Sequence, residues 1–243
     1  MSYFINKQKQ YIAFNKTLGS DPGIIFIHGY NSDMSGEKAK YIEKYAKLKK
    51  ISFVKFDCRG HGKSYGKIEE FVISDWKKDL LDIIDNKTKG PQLLIGSSMG
   101  GWLMMLAAKL RKTRICGLIG IAAAPDFTKD LYKSLSKKNK LKLQKNKVIK
   151  VRKWNYTYIW TKKLFSDGNK NLILNKKFSF NKPIILLHGL KDSVVPIDVP
   201  QKILKIIPNN NIELRLIKNG DHSLSKKNDL KKLINSIEYI LKK

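Results

Sequence analysis

The fold of this chain is decided by residues 93–101, which have the sequence LLIGSSMGG. The apolar run Leu93–Ile95 is typical of a buried strand, and the run Trp102–Leu110 just after the glycines is typical of a helix. Between them lies the pattern Gly-x-Ser-x-Gly with Ser98 at its centre. A sharp turn from strand to helix with this pattern exposes a serine hydroxyl above the edge of a sheet. The segment therefore predicts Ser98 as a nucleophile.

Patterns typical of strands and helices alternate along most of the chain. Apolar runs predict strands at Tyr11–Phe14, Gly23–Ile27, Ser52–Phe56, Ile115–Ala123, Ile184–Leu187 and Ile212–Ile217. Helical spacing predicts helices at Glu37–Lys49, Glu69–Ile84, Val199–Ile206 and Leu230–Leu241. Such alternation is typical of an α/β fold, in which a mostly parallel sheet carries helices on both faces.

The alternation stops between Thr128 and Phe180, where the chain is rich in lysine and carries an aromatic cluster. The cluster consists of Trp154, Tyr156, Tyr158, Trp160 and Phe165. Its centre is too apolar for a disordered linker. The aromatic residues could form the interior of this segment or the wall of a substrate site, and both interpretations stay open. We predict a single domain, residues 1–243, with residues 128–180 as a small lid insertion.

The net charge of +29 is the most unusual bulk property of the chain. It would suit a nucleic acid or an anionic membrane as partner. Only five of the 49 basic residues are arginine, namely Arg59, Arg111, Arg114, Arg152 and Arg215. Proteins that bind phosphates and base edges favour arginine for its bidentate guanidinium group. Lysines along the whole chain therefore favour a compositional bias, and we predict no specific nucleic-acid partner.

The two cysteines, Cys58 and Cys116, lie in or beside apolar runs. We expect buried free thiols, which suits a reducing compartment. Residues 1–10 contain no apolar stretch long enough for a signal peptide. No run approaches the ~18 apolar residues of a membrane-spanning helix. These features predict a soluble, cytoplasmic protein without a transmembrane segment.

A serine nucleophile needs a histidine base, and the histidine needs an acid that orients it. In folds with this turn, the chain order is serine, acid, histidine. Only His188 and His222 follow Ser98. We predict His222 as the base because it lies just after the last strand, at the sheet edge where such folds carry their chemistry. His188, at a strand end, is better explained as a packed residue.

The acid should lie in the loop after the strand Ile184–Leu187, and Asp192 is the favoured residue there. It precedes His222 by one helix and one strand, although an isolated aspartate in a loop is often only a turn residue. Asp126, after the preceding strand, and Asp221, beside the histidine, are the alternatives.

The oxyanion hole requires two backbone amides aimed at the developing negative charge. One should belong to Met99, the residue after the nucleophile, and the other to the loop after the strand Gly23–Ile27. In that loop we predict Tyr30, because Gly29 before it lets the chain bend.

Residues Asp57–Ser64, with the sequence DCRGHGKS, include His61 and several glycines. We predict no metal site, because no second histidine or cysteine lies at metal-binding spacing. The glycines match a phosphate-binding loop only weakly. We interpret the segment as a structural turn braced by Asp57 and Arg59.

Together these residues resemble the α/β-hydrolase superfamily over nearly the whole chain. The matching motifs are His28-Gly29, Asp57-x-Arg59-Gly60-His61-Gly62-x-Ser64, Gly96-x-Ser98-x-Gly100-Gly101, Gly189-x-x-Asp192-x-x-Val195-Pro196 and Gly220-x-His222. Residues 28–39, 96–102 and 188–196 are similar to the abhydrolase-type palmitoyl-protein thioesterases, mitochondrial depalmitoylases that also cleave acyl glucuronides, and to their bacterial relatives. The resemblance implies hydrolysis of esters or thioesters through an acyl-serine intermediate.

We therefore expect a serine hydrolase that needs no cofactor and acts on small-molecule or acyl-protein esters or thioesters. The alternatives within enzymes are a C–C hydrolase, a lyase or a perhydrolase on the same scaffold. A non-catalytic binding module and a nucleic-acid binder are the alternatives outside enzymes. Acyl-chain length, leaving group and oligomeric state stay open at this stage.

Overall fold

The computed structural model describes residues 1–153, 156–208 and 210–242. In these residues eight strands form one sheet: β1 (Ser2–Ile5), β2 (Tyr11–Thr17), β3 (Ser20–Ile27), β4 (Ile51–Phe56), β5 (Gln92–Ser97), β6 (Ile115–Ile121), β9 (Ile184–Gly189) and β10 (Ile212–Ile217). Two further strands form a separate hairpin: β7 (Val148–Lys153) and β8 (Tyr156–Thr161). The helices are α1 (Glu37–Lys49), α2 (Ile73–Lys87), α3 (Met99–Leu110), α4 (Phe127–Ser134), α5 (Lys137–Asn146), α6 (Lys162–Lys170), α7 (Asp198–Ile206) and α8 (Lys227–Leu241).

The large sheet has the strand order β1-β2-β4-β3-β5-β6-β9-β10. The first two strands run antiparallel to their neighbours, and the other six strands pair in parallel. The predicted α/β-hydrolase fold, a mostly parallel sheet with helices around it, is confirmed. Because parallel strands end at one edge, the loops after β3, β5, β9 and β10 all begin at that edge. Those four loops carry Tyr30, Ser98, Asp192 and His222.

In the described residues, two large buried clusters form most of the core, and a small third cluster contains Ala124, Val195 and Val199. Strand alternation sends neighbouring residues to opposite faces of the sheet. On β5, Leu94 joins the cluster that contains Trp76 of α2 and Trp102 of α3. Its neighbours Leu93 and Ile95 join the other cluster, which α1 and α8 cover. The helices on the two faces therefore hold the sheet between them and support its loop-bearing edge.

Several predicted boundaries were wrong for identifiable reasons. The helix predicted from Glu69 begins only at Ile73, after a 3-10 turn at Ile68–Glu70. The start is set at Val72, which is extended and donates its amide to the Asp75 carboxylate at 3.0 Å. Strand β1 was not predicted, because most of its residues are exposed and lack a buried apolar run.

The segment between β6 and β9 contains α4, α5, the β7–β8 hairpin and α6. Trp160 and Phe165 are buried and join the cluster that contains the tryptophans of α2 and α3. Tyr158 packs against the same cluster. Of the remaining predicted aromatic cluster, Trp154 and the side chain of Tyr156 lie outside the described residues.

Both cysteines are free thiols. Cys58 is fully buried, as expected, and burial raises the pKa of its thiol well above the usual value. Cys116 is only partly buried, which corrects the expectation for that residue.

Candidate active site

The turn at Ser98 has the backbone geometry that the sequence pattern predicts. Ser98 has φ 52° and ψ −115°, a conformation that is strained for any residue with a side chain. A Cβ on Gly96 would lie 2.3 Å from the carbonyl oxygen of Gly100, and one on Gly100 would lie 2.2 Å from that of Ile27. Only glycine fits at both positions, because backbone passes on either side of the turn.

The structure brings Ser98, His222 and Asp192 into one hydrogen-bonded series. The Nε2 atom of His222 lies 3.2 Å from the hydroxyl oxygen of Ser98. The Nδ1 atom of the same ring lies 2.9 Å from Oδ2 of Asp192. A carboxylate only accepts hydrogen bonds, so the ring carries its proton on Nδ1. That tautomer leaves Nε2 free to accept the serine proton.

Asp192 is held rigidly by its own loop. Its Oδ1 atom accepts hydrogen bonds from the amides of Val194, at 2.8 Å, and Val195, at 2.9 Å. The carboxylate is 1% exposed, whereas the side chain of His222 is 27% exposed. Burial alone would raise the pKa of Asp192, but the bonds from His222 and the two amides hold that pKa below its usual value. The carboxylate is therefore charged and fixed beside the imidazole.

The alternative residues His188 and Asp126 bond to backbone rather than to Ser98, although Nε2 of His188 lies 3.9 Å from Oδ2 of Asp192. Nε2 of His188 lies 3.1 Å from the carbonyl oxygen of Val195, and burial lowers the pKa of that ring. Asp126 accepts the amides of Ile173 and Leu174 in the loop after α6. Each of these two side chains bonds to backbone in a loop, which is a structural contact.

Asp221, the third alternative, adjoins His222 in sequence but makes a local turn. Its Oδ1 atom accepts the amides of Ser223 and Leu224, each at 3.0 Å, and the hydroxyl of Ser223 at 2.8 Å. A short polar side chain that bonds the next amides in this way stabilises a turn.

The amides of Tyr30 and Met99 lie on the two segments that border the serine. Met99 is the first residue of α3, so its amide belongs to the helix N-terminus and has no partner within the helix. A Cβ on Gly29 would lie 3.3 Å from the Cβ of Ser98, so the loop that carries Tyr30 passes directly beside the nucleophile. In the described part of the chain, the backbone hydrogen bonds of turns, loops and helix caps include none donated by the amide of Tyr30 or of Met99.

The turn predicted at Asp57–Ser64 supports this loop. Oδ1 of Asp57 accepts the amide of Met34 at 2.7 Å, and its Oδ2 accepts that of Lys63 at 2.8 Å. Arg59 is buried and pairs with Asp79 at 2.6 Å. These contacts fit the structural interpretation of the segment.

His61 is packed among aromatic rings rather than beside the serine. Its ring centroid lies 5.2 Å from that of Trp76 and 6.0 Å from that of Tyr30. Burial, reinforced by the charge of His28, lowers the pKa of His61 to about 3. The imidazole is therefore neutral at physiological pH.

Ser98 and His222 open into a cavity of about 500 Å³. Its apolar wall comes from α4, the β7–β8 hairpin, the loop after β9 and the first turn of α7, through Phe127, Leu131, Tyr158, Trp160, Val195 and Val199. Asn31, Ser32, Lys38 and Ser223 supply a polar side. The hydroxyl of Tyr30 donates to the carbonyl of Ile159, which ties the loop after β3 to the hairpin.

The sequence analysis did not predict that Lys38 contacts the loop that carries His222. Its ammonium group donates to the carbonyl of Ser223 and lies 3.3 Å from the hydroxyl of Ser225, so it holds the loop that follows His222. Burial lowers the pKa of Lys38 to about 8, against the opposing charge of Asp221. A signal exists in the sequence, because a cation in the first turn of a helix opposes the helix dipole and needs another reason to be there.

Comparison with known proteins places the chain in a family. A family model described as serine aminopeptidase, S33 (Hydrolase_4) matches residues 20–163. The chain belongs to this family. The mitochondrial palmitoyl-protein thioesterase ABHD10 of Mus musculus is 34% identical over 252 residues, which cover 100% of this chain and 83% of that protein. The Homo sapiens protein of the same name is 34% identical over 241 residues, with 96% and 77% covered.

Solved structures agree with the sequence comparison. The structure of mouse alpha/beta hydrolase domain-containing protein 10 has a TM-score of 0.93 and 32% identity, and covers 99% of this chain and 98% of its own. A putative hydrolase from Agrobacterium vitis S4 has a TM-score of 0.93 at 28% identity, with 99% and 97% covered. This chain is thus an α/β hydrolase of the ester- or thioester-cleaving type, as the sequence predicted.

Two observations concern the cellular location of the chain. None of the helices in the described residues is long and apolar enough to cross a membrane. The ABHD10 relatives are named as mitochondrial proteins. The cytoplasmic location stays a prediction.

Proposed function

We propose that Ser98, His222 and Asp192 form the catalytic triad of this hydrolase, with the amides of Tyr30 and Met99 as its oxyanion hole. The observation that carries this proposal is the continuous series from the Ser98 hydroxyl through the imidazole to the buried carboxylate. The series opens into the cavity, so a bound substrate can reach it.

In the acylation half of the reaction, the Ser98 hydroxyl attacks the acyl carbonyl while Nε2 of His222 takes its proton. Asp192 supports the imidazolium that forms, and the two amides bind the oxyanion of the tetrahedral intermediate. The intermediate collapses as His222 gives the proton to the leaving alcohol or thiol. The acyl group is then held on Ser98 as an ester.

In the second half, a water molecule attacks the acyl-serine carbonyl and His222 takes its proton. The same amides bind the second oxyanion, and the proton passes back to Ser98 as the carboxylic acid leaves. The residues of the chain supply the nucleophile, the base and the electrostatic stabilisation in both halves.

The substrates proposed are esters or thioesters with an apolar acyl group. The aromatic and aliphatic wall from α4 and the hairpin suits an acyl chain, because such a wall excludes water from it. Residues 128–180 act as the lid over that chain in this proposal. Cleavage of palmitoyl-protein thioesters is proposed from the names of the ABHD10 relatives.

The decisive experiment uses p-nitrophenyl esters and a fluorophosphonate probe with wild type and Ser98→Ala. The variant should lose turnover and probe labelling while its unfolding transition stays unchanged, because the substitution removes one hydroxyl. Ser52→Ala is the matched control, since Ser52 donates to the carbonyl of Gly19 in a loop away from the cavity. Turnover that survives in Ser98→Ala would contradict the proposal.

A substrate panel tests the alternatives within enzymes. Esters and thioesters should be cleaved, while β-diketones, which C–C hydrolases cleave, should be left intact. Failure of Ser98 to react with the fluorophosphonate probe would instead favour a binding module on this scaffold.

A further inference from the structure

Basic residues are concentrated in the segment that covers the cavity. Residues 131–166, here called the basic segment, contain 12 of the 49 lysine and arginine residues and none of the 20 acidic residues. Asp130 and Asp167 flank the segment. The charge is therefore not spread evenly, even in a chain whose overall charge is +29.

The hairpin of the basic segment has two chemically different faces. Directly paired residues of antiparallel strands share a face, so Val151 and Tyr158 lie on one side and Arg152 and Thr157 on the other. Tyr158 lines the cavity, which places the first face inward. Arg152 is exposed on the other face. The hairpin thus turns Tyr158 and Trp160 towards the cavity and the exposed Lys150 and Arg152 towards the outside.

Helix α5 repeats this arrangement beside the hairpin. Leu143 is buried, whereas Lys137, Lys138 and Lys142 are exposed. Leu141 lies among these lysines and is 65% exposed. Apolar side chains interleaved with lysines are typical of a surface that enters the headgroup region of an anionic bilayer.

We infer that the outer face of the basic segment docks on an anionic membrane surface and so places the cavity beside acyl groups held there. This inference rests on the proposed function, because the apolar wall under the segment is what an acyl chain leaving the bilayer would enter. A nucleic acid is disfavoured, since Arg152 is the only arginine among the basic residues of the segment. Each lysine near an anionic leaflet strengthens binding about fivefold.

Vesicle sedimentation tests the docking surface. The protein should bind vesicles of phosphatidylcholine mixed with phosphatidylglycerol, and binding should weaken as salt is added. Vesicles of pure phosphatidylcholine should bind it weakly. The triple variant Lys137→Glu, Lys138→Glu, Lys142→Glu should lower binding to the mixed vesicles by at least tenfold.

The matched control reverses three lysines at the opposite edge of the sheet, namely Lys44, Lys49 and Lys89. Lys44 and Lys49 lie in the second half of α1, and Lys89 precedes β5, so all three are remote from the loop-bearing edge. This variant has the same net charge as the first and should bind within threefold of wild type. An equal loss in both triple variants would overturn the inference, because net charge alone would explain it.

Two further measurements separate this inference from the proposed catalytic triad. Both triple variants should hydrolyse a short p-nitrophenyl ester in solution at the wild-type rate, and Ser98→Ala should bind vesicles as wild type does. Loss of the triad would thus leave vesicle binding intact. Preferential binding to duplex DNA over mixed vesicles, lost in the α5 variant, would assign the surface to nucleic acid and overturn the inference.

Discussion

Replacing Asp192 with asparagine should nearly abolish turnover without unfolding the protein. The two amides from Val194 and Val195 both bond to Oδ1, and an asparagine oxygen can keep both bonds. The other arm of the side chain faces Nδ1 of His222 and would become an NH₂ group. It would donate to Nδ1, so the ring proton moves to Nε2. Nε2 then has no lone pair for the proton of Ser98.

The expected cost follows from the loss of the correct tautomer. Removing the carboxylate in a triad of this kind lowers kcat about ten-thousandfold, or ~5 kcal/mol in the barrier. Stopped-flow and steady-state hydrolysis of a p-nitrophenyl ester measure kcat directly. Urea unfolding should show a change of no more than ~2 kcal/mol, since the amides of the loop keep their acceptor.

Asp221→Asn is the matched control, because all the hydrogen bonds of Asp221 are accepted by Oδ1 and an asparagine can preserve them. Its kcat should stay within about fivefold of wild type. A kcat for Asp192→Asn above a tenth of the wild-type value would refute the reasoning. A large loss in Asp221→Asn instead would transfer the role of the acid to that residue.

Two other predictions concern side chains that support the site. Tyr30→Phe removes the hydrogen bond to the carbonyl of Ile159 but keeps the backbone amide of residue 30. The free energy of unfolding in urea should therefore fall by ~1–2 kcal/mol, while kcat stays within about fivefold of wild type. A hundredfold loss of kcat would contradict this. His61 has its pKa lowered to about 3 in the fold, so the unfolded state binds more protons below pH 6.5 and stability falls as the pH falls. Between pH 7.5 and 5, wild type should therefore lose ~2 kcal/mol more stability than His61→Leu, and equal losses would show that the ring titrates in the fold.

The spacing of apolar residues predicted helices and strands well where one face of the element is buried and the other is exposed. Helix α1 has the predicted bounds, Glu37–Lys49, because its apolar residues recur at helical spacing against the sheet. The hairpin between Val148 and Thr161 was not predicted, since basic residues interrupt the apolar residues of its first strand and threonines interrupt those of its second. An edge strand such as β1 and a hairpin such as β7–β8 depend on contacts with residues that are distant in the sequence.

The order of residues in the chain was enough to nominate Ser98, Asp192 and His222, because a turn from strand to helix and two loops after parallel strands must open at the same edge. It could not decide the hydrogen bonds among them. The imidazole of His222 lies 3.2 Å from the Ser98 hydroxyl and 2.9 Å from the Asp192 carboxylate. These distances depend on the packing on both faces of the sheet, because that packing fixes where each loop leaves the sheet. The composition showed that the chain is strongly basic. Only the folded chain shows that the pairing of β7 with β8 places Tyr158 at the apolar cavity and Arg152 on the outer face.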